Sequence, residues 1–172
     1  MNRTRLGLFL LPLFSLGLVG CGDANANAPI KMKPVTYAEF ENIIAQNKGK
    51  VVVVDFWAEF CGPCKDGMPH LVEMQKEFGK DGLVIVTLNI DNPMRPETIE
   101  RAEQFLTAQG AGALINLTWN TEDLRAWRDH MNFDGIPHTY VYNRDGQKVE
   151  EFSGLQTQNV HKLVEELLKK TS

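Results

Sequence analysis

Cysteine is scarce in this chain, with three in 172 residues, at Cys21, Cys61 and Cys64. Three thiols are too few for a disulfide-stapled fold, and the second Cys-x-x-Cys that would complete a four-ligand structural zinc site is missing. His70, His130, His138 and His161 are scattered, and Cys64 is followed by Lys65 rather than by the His that covalent c-type haem attachment requires. No metal site is expected. Clustered positive charge is lacking too: 18 basic residues stand against 22 acidic ones, net −4, and they nowhere interleave with aromatics. Nucleic acid is therefore not an expected partner, because a phosphate backbone needs a concentrated cationic surface. The chain has no internal repeat, no low-complexity tract and no apolar run long enough to span a bilayer.

What is present is the composition of an ordinary folded domain, 43% hydrophobic and 23% charged. The first twenty residues differ in kind. Arg3 and Arg5 precede Leu6–Gly20, fifteen residues in which only Ser15 is polar, and this order of positive and apolar segments describes a secretory signal over 1–20. Its removal would take the net charge to −6. Leu18-Val19-Gly20-Cys21 resembles the bacterial lipobox, in which the cysteine becomes the lipid-modified first residue. Lipidation of Cys21 would attach the protein to a membrane and leave only Cys61 and Cys64 for thiol chemistry. Residues 21–35 are small, polar and broken by Pro29 and Pro34, so they read as a flexible tether about 20 Å in root-mean-square span.

A folded domain is expected over 36–172. Thr36-x-x-Glu39 is a capping box ahead of Phe40, Ile43 and Ile44 at helical spacing. Val51–Trp57 is β-branched and apolar on both faces, the pattern of a central covered strand. A helix from about Pro63 to Phe78 follows, with Pro69 inside it, then a second buried strand over Leu83–Ile90. Glu97–Gln109 and Thr121–Met131 are spaced as helices, with a short strand between them over Leu114–Trp119. A hairpin through Asn143-Arg-Asp-Gly146 and a terminal helix near Thr157–Lys170 complete an α/β sandwich around a mixed sheet.

Cys61 and Cys64 directly follow the covered strand and open a helix, where free backbone N–H groups stabilise a negative sulfur. Gly62 permits a tight turn, Pro63 suits a first helical turn, and Cys64 lies one turn along. Asp55, between Val54 and Phe56, should be desolvated and hard to ionise, as a base working near neutral pH must be.

Val53-Val-Asp-Phe-Trp-Ala-Glu-Phe-Cys-Gly-Pro-Cys-Lys65 resembles the thioredoxin active-site segment. Pro69, Leu88-Asn-Ile-Asp91 and Gly135-Ile-Pro137 agree with it in the right order, so the resemblance spans roughly Val35 to Lys170. It implies a thioredoxin fold and no cofactor beyond a redox-active Cys61–Cys64 disulfide. Cys61 would be the nucleophile, Cys64 the resolving thiol and Asp55 its proton partner. Trp57, Phe60, Gly62 and Pro63 would contact substrate, and Pro137 would be cis, placing Ile136 to pair with an extended substrate segment.

Three departures matter. Thr87 stands where thioredoxin has a Lys near the buried Asp, Phe60 replaces a Trp, and Asp91 to Pro137 spans forty-six positions, well beyond plain thioredoxin. That insert, about 92–134, and the exported, tethered chain resemble the TlpA/ResA-like branch, largely reductases of exported disulfides, some acting on apocytochrome c cysteines. The implied partners are disulfide-bearing exported proteins and a membrane electron donor of the DsbD/CcdA kind, with the domain lipid-anchored on the periplasmic side of the envelope. Trp119 and Trp127 in the insert read as core. Two alternatives stay open: a disulfide oxidase or isomerase, and a non-catalytic binding module of the same fold.

Overall fold

The computed structural model describes residues 28–132 and 134–170. The expected signal segment over 1–20, Cys21 and the tether as far as residue 27 lie outside the described residues. The strands are β1 (Lys33–Val35), β2 (Val51–Trp57), β3 (Leu83–Asn89), β4 (Ile115–Trp119), β5 (His138–Tyr142) and β6 (Lys148–Ser153). The helices are α1 (Tyr37–Gln46), α2 (Gly62–Phe78), α3 (Pro96–Ala108), α4 (Leu124–His130) and α5 (Thr157–Lys169). One mixed sheet runs β1-β4-β3-β2-β5-β6; β1 to β2 are mutually parallel along it, and β5 and β6 pair antiparallel.

β2 sits inside the sheet with all seven residues buried, which explains its apolarity on both faces. Side chains alternate across a strand. Val51, Val53 and Trp57 therefore pack with Met68 and Leu71 of α2, Leu106 of α3 and Val160 of α5. Val52, Val54 and Phe56 pack on the other face with Phe40 of α1 and Trp127 of α4. The capping box holds as expected: Glu39 N–H donates to Thr36 Oγ1, and the Glu39 carboxylate accepts from Thr36 N–H.

Two expectations need correcting. The segment read as a tether to residue 35 joins the domain earlier. Ile30 N–H donates to Thr107 Oγ1, and Met32 N–H donates to the carboxylate of Glu103, both at 3.0 Å. Met32 and Val35 are buried, and Lys33–Val35 pairs with β4 as an edge strand. An edge tolerates Pro34, whose missing N–H costs no ladder bond there. The strand expected over Leu114–Trp119 in the insert is present as β4, within the sheet between β1 and β3. α4 is shorter than expected, its first residues Thr121–Asp123 forming a 3-10 turn. Trp127 is fully buried and its Nε1–H donates to Val35 O, so it is core as read.

Candidate active site

The site forms where β2 ends and α2 begins. Cys61 is the residue that caps α2: its backbone is extended, its Sγ accepts from Cys64 N–H at 3.2 Å, and Lys65 N–H donates to its carbonyl. A sulfur in that place faces the unpaired N–H groups and positive end of a seventeen-residue helix. Cys61 and Cys64 form a disulfide across a Cα–Cα distance of 5.3 Å. Both residues are buried, at 7% and 2% exposure, so the less covered of the two is Cys61, the one expected to attack. Gly62 and Pro63 are exposed beside it, and Phe60 is 76% exposed.

Trp57 departs from expectation. Read as apolar surface flanking the dithiol, it is wholly buried, its ring 5.6 Å from that of Phe105 on α3. The cause is strand parity, which points Trp57 into the same layer as Val51 and Val53. It supports the segment leading to Cys61 from beneath and offers a docking partner no surface.

The same parity places Asp55 on the α2 face, below Cys64. The carboxyl is 6% exposed and accepts a hydrogen bond from Thr139 Oγ1 at 3.0 Å. Burial raises its pKa to about 7, and the Thr139 bond only partly opposes this. Thr87 lies opposite Asp55 in the β2–β3 register, but its hydroxyl donates to Asn116 Oδ1 of β4 at 2.9 Å. The inserted strand thus occupies the polar group at the position where a cation was missing.

The Ile136–Pro137 peptide bond is cis, as the resemblance implied. Pro137 is buried and Ile136 half-buried, just ahead of the β5 residue paired with Phe56 of β2. Pro137, Cys64, Asp55 and Thr139 share the wall of one cavity of about 370 Å3, which opens between α2 and the start of α5.

One supporting residue was placed in a motif by the sequence but given no role. Asp91, 2% exposed, accepts from Glu59 N–H and from Asn89 Nδ2, each at 2.7 Å, while its carbonyl accepts from Trp119 Nε1 at 2.6 Å. It pins the turn before Cys61 to the loop after β3. An acidic residue at the end of a buried strand was the available signal.

The family model described as Thioredoxin matches residues 31–104. The chain is 26% identical over 113 residues to the thiol-disulfide oxidoreductase ResA of Bacillus subtilis, an alignment covering 66% of this chain and 58% of that one. It is 42% identical over 66 residues to thioredoxin of Rhodospirillum rubrum, covering 38% and 62% respectively. Among solved structures, a thiol:disulfide interchange protein of the thioredoxin family from Chlorobium tepidum superposes with a TM-score of 0.59 at 23% identity, over 72% of this chain and 83% of that one. The chain thus spans less than two thirds of the length of these two curated relatives.

Proposed function

We propose that this chain is a thiol–disulfide oxidoreductase of the thioredoxin superfamily that reduces disulfides of exported proteins; the Thioredoxin model over residues 31–104 and the similarity to ResA support the reading. The observation that carries the reading is the arrangement of the two sulfurs, one capping α2 and the other deeper, beside a cavity shared with Asp55.

In the reduced protein, the Cys61 thiolate attacks one sulfur of the substrate disulfide. That bond breaks, a mixed disulfide forms, and the substrate's other sulfur leaves as a thiolate that takes a proton. Cys64 then gives its proton to the Asp55 carboxylate and attacks Cys61 Sγ. The second substrate sulfur is released and protonated. Two electrons have passed to the substrate, and Cys61–Cys64 is again a disulfide. Phe60, Gly62 and Pro63 supply the exposed surface beside Cys61, and Ile136 the backbone next to Pro137 along which an extended substrate segment lies.

The cycle requires a donor, and one of the DsbD/CcdA kind on the membrane fits an exported domain. Residues 1–20 act as the export signal, Cys21 carries the lipid, and the domain works on the periplasmic side of the envelope. Replacing Cys21 with Ala should abolish incorporation of labelled fatty acid and release the protein from the membrane fraction.

The Gly62-Pro63 pair between the cysteines favours the reducing direction. A measured potential near −270 mV or below supports it, and one near −120 mV makes the protein an oxidase instead. Cys64→Ser should trap a substrate on Cys61 as a stable mixed disulfide in the native envelope, with apocytochrome c cysteines one substrate to look for. Absence of any trapped partner would favour the binding-module reading.

A further inference from the structure

The cavity behind the disulfide is walled on one side by the loop that follows β6. Leu155 of that loop is 47% exposed, yet its Cδ1 lies 2.8 Å from where a Cβ would stand on Gly67 of α2. Gly67 does not have a positive φ, and a glycine inside a helix costs about 1 kcal/mol against alanine. The space is tight: a Cβ on Gly67 would push the Leu155 side chain from its present place against the helix, one turn beyond Cys64. The loop is held from its other side as well, since Gly154 N–H donates to Pro137 O at 2.9 Å. Leu155 thereby lines, from the β6–α5 loop, the cavity whose wall also includes Asp55 and Cys64.

We propose that Leu155 is a positioning residue for the proton step, limiting how far water reaches Asp55 and Cys64 from behind the disulfide. The inference rests on the dithiol reading given above and deepens it. A partner docked on Cys61 covers the front of the site, whereas the cavity opens between α2 and α5 and stays in contact with solvent. The proton that Asp55 takes from Cys64 can leave by that route without release of the partner. How readily Asp55 ionises then depends on its hydration through the cavity, and Leu155 is an apolar side chain standing in the way.

The groups facing Asp55 are Thr87 on β3, Thr139 on β5 and Cys64 on α2. Further out along the cavity are His70, Glu73 and Glu77 of α2 and His161 of α5, whose Nε2 lies 3.2 Å from Glu77 Oε2. Replacing Leu155 leaves every one of these in place, so a change in Asp55 would report hydration rather than a lost charge.

The test is a pH titration of the full folded domain labelled at the aspartate carboxyl carbons and followed by NMR, with Asp55→Asn identifying the Asp55 signal. Truncating Leu155→Ala should lower the Asp55 midpoint by about half a pH unit or more as water enters. Leu155→Met, which keeps the apolar bulk, should leave it near the wild-type value. An unmoved or raised midpoint in Leu155→Ala overturns the proposal, as does an equal shift in Leu155→Met. The rate at which a preformed Cys61 mixed disulfide is resolved separates this failure from a deeper one. If Asp55→Asn resolves it as fast as wild type, Asp55 has no part in the proton step, and the step given to it in the dithiol mechanism falls along with this inference.

Discussion

A carboxyl group between Val54 and Phe56 in the middle of a sheet ionises only against the loss of its hydration, and Asp55 has one hydroxyl from Thr139 to soften that loss. In an unfolded chain an aspartate ionises near 3.9, while in the folded protein Asp55 keeps its proton to about 7. Between those values the native state holds a proton that the unfolded state has given up, so stability falls as pH rises. The loss starts above about pH 4, is complete a little above 7, and amounts to ~4 kcal/mol over some three pH units. Asp55→Asn cannot ionise and can still accept from Thr139. It should be more stable than wild type by about 2–4 kcal/mol at pH 8, the gain vanishing near pH 4. Urea denaturation of both proteins at the two pH values checks this, and an equal difference at both would contradict it.

Between neighbouring elements, the turn that presents Cys61 depends on a residue in another loop. Asp91 holds Glu59 N–H and Asn89 Nδ2 with a buried carboxylate. Removing it leaves both donors buried without that acceptor, and charge-assisted bonds of this kind are worth about 1.5–3 kcal/mol each before relaxation. Asp91→Ala should lower stability by about 2–4 kcal/mol. It should also speed hydrogen exchange at Glu59 more than at the centre of β2, measured under native conditions. Uniform acceleration would mean that Asp91 stabilises the domain without holding this turn. At this scale the sequence was legible wherever the signal was local. The capping box, the wholly buried β2, the helix opened by Cys61 and the hairpin at Asn143–Gly146 each follow from neighbouring residues. Pairing over a distance was not legible: nothing in Leu114–Trp119 says that its strand separates β1 from β3. Trp57 was misread for a related reason, since its exposure is set by α3 lying over it, and α3 belongs to a later part of the chain. Cys61, Cys64 and Pro137 were found through motif resemblance; the cavity joining Cys64 to Asp55 and Pro137 exists only once α5 and the β6–α5 loop are packed.

Across the whole molecule, the N-terminal strap decides where the chain leaves the domain. Ile30 is bound at the C-terminal end of α3 through Thr107, and Met32 one turn earlier through Glu103. Nearer the middle of α3, Arg101 lies 3.4 Å from Glu59 in the turn before Cys61. Glu103 is the latch: it is 8% exposed, accepts from Met32 N–H, and its other oxygen lies 2.6 Å from Lys31 Nζ. Glu103→Ala leaves the Met32 N–H without an acceptor and should cost about 1.5–3 kcal/mol. Glu103→Gln keeps an acceptor at the same reach and should cost less. The strap contains Lys31 ahead of Met32, whereas Lys33 is shielded from trypsin by Pro34, so release of the strap can be read directly as tryptic cleavage after Lys31. Cleavage should rise severalfold in Glu103→Ala and less in Glu103→Gln, while reactivity of the Cys61 thiol stays at the wild-type level. If cleavage at Lys31 were unchanged in Glu103→Ala, the pairing of β1 with β4 would suffice to hold the strap.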